Sequence, residues 1–338
     1  MNNMHLLNTE RMNVIGSHDM DDPNVWTDIL SSFADILTER LQSFAGSSVR
    51  CRVSGTRDTN ANASPPISRS GLVPIIDFGE TLSGEFLISS RAFYQIIGAL
   101  SGQPVDRPMQ RECRPLSRLE TLVLADIGEL IAASFARALP KVLSTFDPNG
   151  YAPHPEVRFG GFQSRRHDRL VHPKRLLAFD MVLDAGGISG GFTLLTPAIR
   201  SIVAHQPFEK YSPLRDRWWR RQDQKRKEHA SVASLNLSRR LLGFDHERVK
   251  ALLAGESTAV AAACLRLAPH HLVISYLGTL APSTASEMID LLVSHRFPRP
   301  SLVSALNRLF SQENCVRGKA AARMRLIRAL MPISGEPK

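Results

Sequence analysis

An internal repeat limits the possible folds of this chain more than any other feature of its sequence. Residues 83–97 read SGEFLISSRAFYQII and residues 189–203 read SGGFTLLTPAIRSIV, so the two stretches align at an offset of 189 − 83 = 106 residues. In both copies an apolar, strand-like run is followed by a helical pattern. Such a repeat predicts two equivalent units related by a pseudo-twofold axis.

A strand hairpin precedes the helix in each copy. Four runs carry the strand pattern: 72–79, 84–90, 176–186 and 191–197. We expect Ser90 to cap the first helix, and we expect Thr196-Pro197 to open the second. Residues 70–206 are therefore predicted to form a pseudo-twofold α/β (α+β) domain with repeated hairpin-helix units.

Further elements are predicted around these hairpins. Apolar residues at helical spacing predict a long helix over residues 116–139 and an amphipathic helix within residues 26–44. Residues 49–53 alternate as a half-buried strand does. Residues 56–70 are rich in turn-forming residues and are predicted to form a loop.

The stretch DAGGISGGFTLLTP (184–197) contains the G-x-S-x-G pattern of a serine nucleophile. A nucleophile elbow needs a helix directly after the serine, and a phosphate-binding loop also leads straight into a helix. Here Ser189 is followed by a second strand-like run instead. The four glycines are therefore predicted to lie in a hairpin turn, where positive φ angles favour glycine. On this interpretation Ser189 is a turn residue without a catalytic role.

The composition excludes several other classes. The chain has 338 residues, of which 43% are hydrophobic and 22% charged, as in globular proteins of two or three domains. No apolar run reaches the ~20 residues that cross a bilayer, and the N-terminus lacks a signal-peptide pattern. The four cysteines form no C-x-x-C pair and are expected to be reduced thiols. The eleven histidines lack the spacing of metal ligands, so no metal ion is expected. No other cofactor and no small-molecule substrate is expected either.

Basic charge is concentrated in one short run. Between Lys210 and Lys227 there are eight basic and two acidic residues, 8 − 2 = +6, against a net charge of +10 for the whole chain. Such a run can bind nucleic acid, an anionic membrane or an acidic partner, or it can form a solvated linker between domains. Trp218-Trp219 within it could stack on nucleobases or close the edge of a domain, but no nucleic-acid-binding module accompanies them.

The domain organisation follows from these patterns. Residues 1–24 lack periodicity and are expected to be a mobile N-terminal segment. Residues 25–206 are predicted to form the α/β domain, and residues 207–240 are predicted to form a basic linker. In residues 241–338, short helical patterns are broken by prolines, and an apolar pattern ends twice in Leu-Ala-Pro. This C-terminal region is predicted to be all-α, with stacked helical repeats.

Three stretches resemble the middle domain of the flagellar motor switch protein FliM, a family related to the CheC chemotaxis phosphatases. They are LSGEFLISSRAFYQIIGALSG (82–102), RPLSRLETLVLADIGELIAASFARAL (114–139) and GGISGGFTLLTPAIRSIV (186–203). In that family a two-glycine loop between two strands docks the rotor protein FliG. The resemblance implies a protein-binding loop formed by Gly186, Gly187, Ile188, Ser189, Gly190 and Gly191.

The CheC relatives pair a glutamate with an asparagine three residues later in the long helix. This chain has Asp126 and Glu129 at those positions. The asparagine amide would orient a water molecule beside a phosphoryl group, and a carboxylate in its place repels that group. We therefore expect no enzyme activity and no catalytic residue. The alternatives are a CheC-like phosphatase of a phosphorylated response regulator and a basic nucleic-acid-binding protein.

Two parts of the FliM pattern have no match: the N-terminal peptide that binds the response regulator and the C-terminal β-rich domain that pairs with FliN. In place of the latter, the C-terminal region is weakly similar to the armadillo-like middle domain of FliG. Glu256 stands at the position of its signature acid, but Ser257, Thr258 and Ala259 replace the His-Pro-Gln that follows there. This similarity implies a chain that carries both a docking loop and a counterpart of its docking surface.

The resemblance as a whole implies a non-enzymatic component of the bacterial flagellar motor switch, the C-ring, with a role in motility and chemotaxis. Expected partners are a FliG-like rotor protein and other copies of the chain in a ring. FliN and a response regulator are further candidates, and nucleic acid is not expected. The expected location is cytoplasmic, as a peripheral protein at the cytoplasmic face of the inner membrane in the basal body.

Overall fold

The fold is described from a computed structural model of the chain. The described residues are 23–46, 49–60, 72–80, 82–103, 115–147, 149–153, 155–164, 175–185, 188–204, 206, 208–212, 221, 224, 241, 243–294 and 298–311. Nearly all of the predicted N-terminal segment and most of the basic linker, with Trp218 and Trp219, therefore lie outside them.

The α/β domain consists of two halves that share the order helix, three strands and helix, and the second half has one additional short strand, β4. The first half contains α1 (Pro23–Ala45), β1 (Val49–Asn60), β2 (Leu72–Phe78), β3 (Ser83–Ile88) and α2 (Ser90–Ser101). The second contains α3 (Arg118–Leu143), a short β4 (Tyr151–Pro153), β5 (Val157–Ser164), β6 (Arg175–Ala185), β7 (Ile188–Pro197) and α4 (Ile199–Ala204). The strand β8 (Phe208–Lys210) pairs with β4.

Six strands form one antiparallel sheet in the order β1-β6-β7-β3-β2-β5. The central strands β3 and β7 pair with Leu87 opposite Thr193, and 193 − 87 = 106. On either side, Phe86 pairs with Leu194 and Ile88 pairs with Phe192. Phe192 is the repeat counterpart of Phe86 and Leu194 that of Ile88, so the twofold axis converts one pair into the other. The predicted pseudo-twofold axis is therefore confirmed, and it passes between Leu87 and Thr193.

The two edge strands of the sheet, β1 and β5, each contain a β-bulge. The register of β1 shifts between Val53 and Gly55, and the register of β5 shifts between Phe159 and Gly161. The extra residues are Ser54 and Gly160, which are again 160 − 54 = 106 residues apart. A bulge of this kind bends an edge strand and discourages pairing with another chain.

Helices cover one face of the sheet. The helix α1 packs on β1, α2 on β6 and β7, and α3 on β2 and β5. The six largest fully buried side chains are aromatic and come from both layers: Phe33, Phe78, Phe86, Phe135, Phe179 and Phe192. Phe135 of α3 joins the layers, because its ring contacts Phe33 at 5.9 Å and Phe78 at 5.3 Å between centroids.

Several predicted boundaries were wrong. The cap of α2 is Ser89, whose hydroxyl accepts a hydrogen bond from the Ala92 amide, and not Ser90. Thr196 and Pro197 end β7 instead of opening α4. The strand β1 runs on to Asn60, because pairing with β6 outweighs the loop-forming tendency of its second half.

The C-terminal region is helical, as predicted. It contains α5 (His246–Leu253), α6 (Thr258–Leu265), α7 (His270–Leu277), α8 (Pro282–Ser294) and α9 (residues 300–311). The helix α6 is buried on every side from Ala259 to Leu265, between α8 and α2 of the α/β domain. The core of the C-terminal helices is thus continuous with that of the domain.

Candidate functional site

The predicted docking loop lies at the end of the β6–β7 hairpin. The last described pair of the hairpin is Ala185 with Ile188, and Gly186 and Gly187 between them lie outside the described residues. Gly190 and Gly191 belong to β7, so the prediction that they lie in the turn was wrong. Gly190 and Gly191 point to opposite faces of β7, and this difference sets the structural role of each glycine. Neither role depends on a positive φ angle.

Gly190 faces the helices. A Cβ atom built there would lie 2.5 Å from the Ala92 Cβ and 2.7 Å from the Ala92 backbone nitrogen. No side chain fits at that distance, so Gly190 allows the N-terminus of α2 to pack directly on β7. Gly191 faces the other side of the sheet and is exposed, and apart from its chain neighbours no described residue has an atom within 4 Å of its Cβ position.

Polar contacts hold the hairpin where the turn begins. The exposed Ser189 donates a hydrogen bond from Oγ to the carboxylate of Asp184 on the opposite strand. Arg52 of β1 places its Nε 3.3 Å from the other oxygen of Asp184. The hydroxyl of Ser189 is thus bound directly to a carboxylate, without the intervening imidazole of a catalytic triad. Ser189 is suited to fixing the hairpin and not to nucleophilic attack.

A second arginine–aspartate ion pair lies at the β2–β3 hairpin, but its register is different: Arg158 is directly opposite Asp77, whereas Arg50, and not Arg52, is directly opposite Asp184. Arg158 lies 158 − 52 = 106 residues after Arg52, and its Nε lies 3.5 Å from Asp77 at the root of the β2–β3 hairpin. The two arginine side chains are 70% and 72% exposed, and their partner acids 30% and 27%. Sequence analysis missed both pairs, although the offset of 106 relates the two arginines.

The positions of the rival phosphatase site have other roles. Asp126 forms an ion pair with Arg308 of α9, while Glu129 is exposed. At Gly128, a Cβ would lie 2.5 Å from the ring of Phe159, so this glycine lets α3 pack closely on β5. The segment Asp126–Glu129 therefore serves the packing of α3 and the attachment of α9.

The C-terminal helices are attached to the helical layer of the domain. The Glu256 carboxylate accepts hydrogen bonds from the Ser117 hydroxyl at 2.6 Å and the Leu119 amide at 3.4 Å, at the N-terminus of α3. The Arg299 amide donates to the Leu100 carbonyl at 2.8 Å, and the Ser301 hydroxyl donates to the Phe44 carbonyl at 3.0 Å. None of these contacts involves the β6–β7 hairpin.

Two cysteines lie among the described residues, and both are free and buried. Burial, and to a smaller extent the charge of Asp184, raises the pKa of the Cys51 thiol to about 12. Burial followed by the charge of Glu256 raises the pKa of Cys264. Both thiols are therefore protonated at neutral pH and chemically inert.

In the described part of the chain, the His, Cys, Asp and Glu side chains form no group of three or more that could hold a metal ion. Within the same residues, no helix combines the length and apolar character that crossing a membrane requires.

These features define an antiparallel, pseudo-twofold α/β domain with helices on one sheet face, joined to a set of short helices. Solved structures similar to it include a chain of the FliG–FliM complex from H. pylori, with 13% sequence identity and a TM-score of 0.44. The match covers 54% of this chain and 96% of that chain. They also include the FliM middle domain from H. pylori, at 14% identity, 54% and 95% coverage and a TM-score of 0.41.

FliY from Thermotoga maritima is similar at 9% identity over 53% of this chain and 90% of that chain, with a TM-score of 0.36. No protein-family model matches the chain, and a search of curated proteins finds no match.

Proposed function

We propose that this chain is a non-enzymatic component of the bacterial flagellar motor switch and that it docks a FliG-like rotor protein through residues 186–191. The observation that carries this proposal is the contrast between the two strand glycines. Gly190 locks the hairpin onto α2, whereas Gly191 leaves open, exposed backbone on the opposite face. The described part of the hairpin is thus packed on α2 at Gly190 and has accessible backbone at Gly191.

Such a surface suits docking for a physical reason. A partner helix approaches a strand closely where no Cβ intervenes, and main-chain groups are then within reach. The Ser189–Asp184–Arg52 contacts hold the hairpin before binding, so little conformational freedom is lost when a partner docks. In this mechanism small movements of the docked partner change the direction or coupling of rotation.

The proposed role also implies a location, an assembly and further partners for the chain. Copies of the chain assemble in a ring at the cytoplasmic face of the inner membrane, in the flagellar basal body, where they take part in motility and chemotaxis. FliN and a response regulator are further candidate partners. The phosphatase alternative is disfavoured because Asp126 is paired with Arg308 and Glu129 cannot supply an amide.

The test measures binding of the full chain to the FliG protein of the same organism. Gly191→Leu fills open space and is expected to weaken binding at least tenfold, about 1.4 kcal/mol, with an unchanged circular dichroism spectrum and melting temperature. Glu129→Leu, exposed on α3, is the surface control and is expected to bind as the wild type does. Wild-type affinity of Gly191→Leu would refute docking through this hairpin.

Gly190→Leu is the structural comparison in the same experiment. Because its side chain would collide with Ala92, this variant is expected to melt at a lower temperature whether or not FliG is present. Loss of binding in Gly190→Leu alone would therefore report damage to the fold and would count against the proposal.

A further inference from the structure

We propose that residues 165–174, called here the crossing segment, pack across the sheet face that points away from the helices, with the middle of the segment over Glu85. The crossing segment lies outside the described residues, but the strands that it connects, β5 and β6, lie within them. This contact is a binding surface of the chain for a part of itself. It is independent of docking at the β6–β7 hairpin, so either can hold without the other.

A row of residues on this face is almost completely buried. Its members lie opposite one another on four neighbouring strands, β6, β7, β3 and β2: Ala178, Leu195, Glu85 and Ile75. A strand neighbour of each belongs to the core beneath the helices, so the row points away from the helices. Ala178, Ile75 and Leu195 are 0%, 2% and 5% exposed, and Glu85 is half-buried.

The row needs a cover that the described helices do not supply. Those that pack on the sheet, α1, α2 and α3, lie on its other face. A face of an antiparallel sheet that nothing covers is solvated, so another part of the chain lies on this row. Ala178 and Leu195 form an apolar cluster with Leu87, separate from the core beneath the helices. The sheet thus has a second, smaller interior on its far side.

The ends of the crossing segment lie on opposite sides of this row. The segment connects Ser164 of β5 with Arg175 of β6, and these strands are four places apart in the sheet. Arg175 lies three residues before Ala178 of the row. Leu72, which pairs with Ser164, lies three residues before Ile75, and β2 and β6 run in opposite directions, so the two distances add to six residues. At about 4.8 Å per strand and 3.3 Å per residue, the diagonal is about 28 Å.

The length of the segment favours this diagonal over other paths. From Ser164 to Arg175 there are 175 − 164 = 11 residue steps, which span at most about 36–40 Å. A path over the helical layer adds about 10 Å in each direction, and its length of about 48 Å is out of reach. A path along the rim of the sheet is about 39 Å and leaves no slack. The diagonal is the short path, and its midpoint lies in the row at Glu85.

The charges of the face and the segment are complementary. On this face, the described residues of the inner strands β2, β3, β6 and β7 include four carboxylates and no basic side chain: Asp77, Glu85, Asp180 and Asp184. The crossing segment has four basic residues and Asp168, 4 − 1 = +3. Arg169 and Leu170 stand at its middle. The diagonal therefore places Arg169 beside Glu85, and Leu170 on the apolar members of the row.

A second connection, residues 61–71, is the alternative partner for Glu85. It joins Asn60 to Leu72 across the same sheet, and the midpoint of its diagonal lies over Leu195, one strand away from Glu85. Its basic residue is Arg69. The experiment below is designed to distinguish Arg69 from the middle of the crossing segment.

The crossing segment leaves the end of the β6–β7 hairpin accessible. Gly191 is exposed on the same face, four residues along β7 from Leu195 and therefore about 13 Å from the row. The apolar centre of the face is covered, whereas the hairpin end stays open to a partner.

The experiment follows thermolysin cleavage of the folded full chain before Leu170 by mass spectrometry. Glu85→Lys places a like charge beneath the crossing segment and is expected to raise the cleavage rate about five- to twentyfold, because the segment opens more often. Glu156→Lys, at an exposed acid beside β5, is the control and is expected to stay within about twofold of the wild type. Adding Arg169→Glu to Glu85→Lys should restore slow cleavage, whereas adding Arg69→Glu should not.

A cysteine pair tests the contact without relying on charge. In the Cys113→Ser, Cys315→Ser background, Glu85→Cys with Leu170→Cys should form a disulfide on mild oxidation, which requires Cα atoms within about 7 Å. Leu170→Cys with Glu129→Cys, exposed on α3 in the helical layer, is the control pair and should stay reduced.

Three results would overturn the proposal. The first is equal cleavage rates for Glu85→Lys and Glu156→Lys. The second is rescue of Glu85→Lys by Arg69→Glu and not by Arg169→Glu, which would assign the contact to residues 61–71. The third is a cysteine pair at Glu85 and Leu170 that oxidises no faster than the control pair.

Discussion

The carboxylate of Glu256 accepts a 2.6 Å hydrogen bond from the hydroxyl of Ser117, which is the N-cap of the 26-residue helix α3. The same hydroxyl accepts from the Glu120 amide, and the Glu120 carboxylate accepts from the Ser117 amide in a capping box. The first amides of a helix lack intrahelical partners and carry partial positive charge. A carboxylate from the C-terminal region therefore stabilises the helix at the centre of the α/β domain.

Replacing Glu256 tests this connection. We expect Glu256→Ala to lower the free energy of unfolding by about 1–2 kcal/mol, because two hydrogen bonds at a helix N-terminus are lost. Urea unfolding followed by circular dichroism measures the change. Glu247→Ala, at a side chain 69% exposed on α5, is the control and is expected to change stability by less than about 0.5 kcal/mol. Equal effects of the two variants would contradict the role of Glu256.

Gly128 is predicted to be required by packing. The Cβ of Gly128→Ala would lie 2.5 Å from the Phe159 ring, so α3 and β5 would have to move apart, and we expect a loss of about 1–3 kcal/mol in unfolding free energy. Gly278→Ala is the matched control, because its nearest neighbour would be 3.5 Å away and its φ is −65°. Alanine there is expected to be neutral or slightly stabilising.

A second substitution checks the cause of the Gly128 effect. In the double variant Gly128→Ala with Phe159→Leu, the smaller side chain leaves room for the new methyl group. We expect the double variant to lose less unfolding free energy than the sum of the losses of the two single variants. Strict additivity would mean that contact with Phe159 is not the reason for the glycine.

The absence of phosphatase chemistry is tested directly. We expect that the purified chain does not accelerate loss of phosphate from a phosphorylated response regulator. Arg308→Ala releases Asp126 from its ion pair and is expected to be equally inactive, because Glu129 still supplies a negative charge where an amide is needed. Faster dephosphorylation by either protein would restore the phosphatase alternative.

The buried thiols are predicted to be unreactive. Cys113→Ser with Cys315→Ser leaves only Cys51 and Cys264. Burial raises the pKa of both thiols, so both stay protonated at pH 8 and Ellman's reagent should label neither cysteine in the folded chain. In guanidinium chloride both should react within minutes.

Asp184→Asn separates the two causes of the raised pKa of Cys51. Burial is the larger cause, so removing the negative charge should leave Cys51 almost as unreactive as before. Rapid labelling of the folded Asp184→Asn variant would show that the carboxylate, and not burial, protects the thiol.

Repetition and periodicity in the sequence were sufficient to predict the pseudo-twofold domain, its hairpin-helix units, the long helix α3 and the helical C-terminal region. These features depend on side-chain spacing along a few residues and on one constant offset, and both are visible in a linear chain. The weaker boundary predictions failed where strand pairing extended an element, as in the second half of β1.

Other features depend on contacts between residues far apart in the chain, and only the folded structure decided them. Gly190 and Gly191 are neighbours with the same side chain, yet one packs on Ala92 and the other faces open space, because alternate residues of a strand point to opposite faces. The contacts of Glu256 with Ser117 and of Arg308 with Asp126 span 139 and 182 residues. No local pattern encodes such contacts, because they arise only when the packed helices bring distant side chains together.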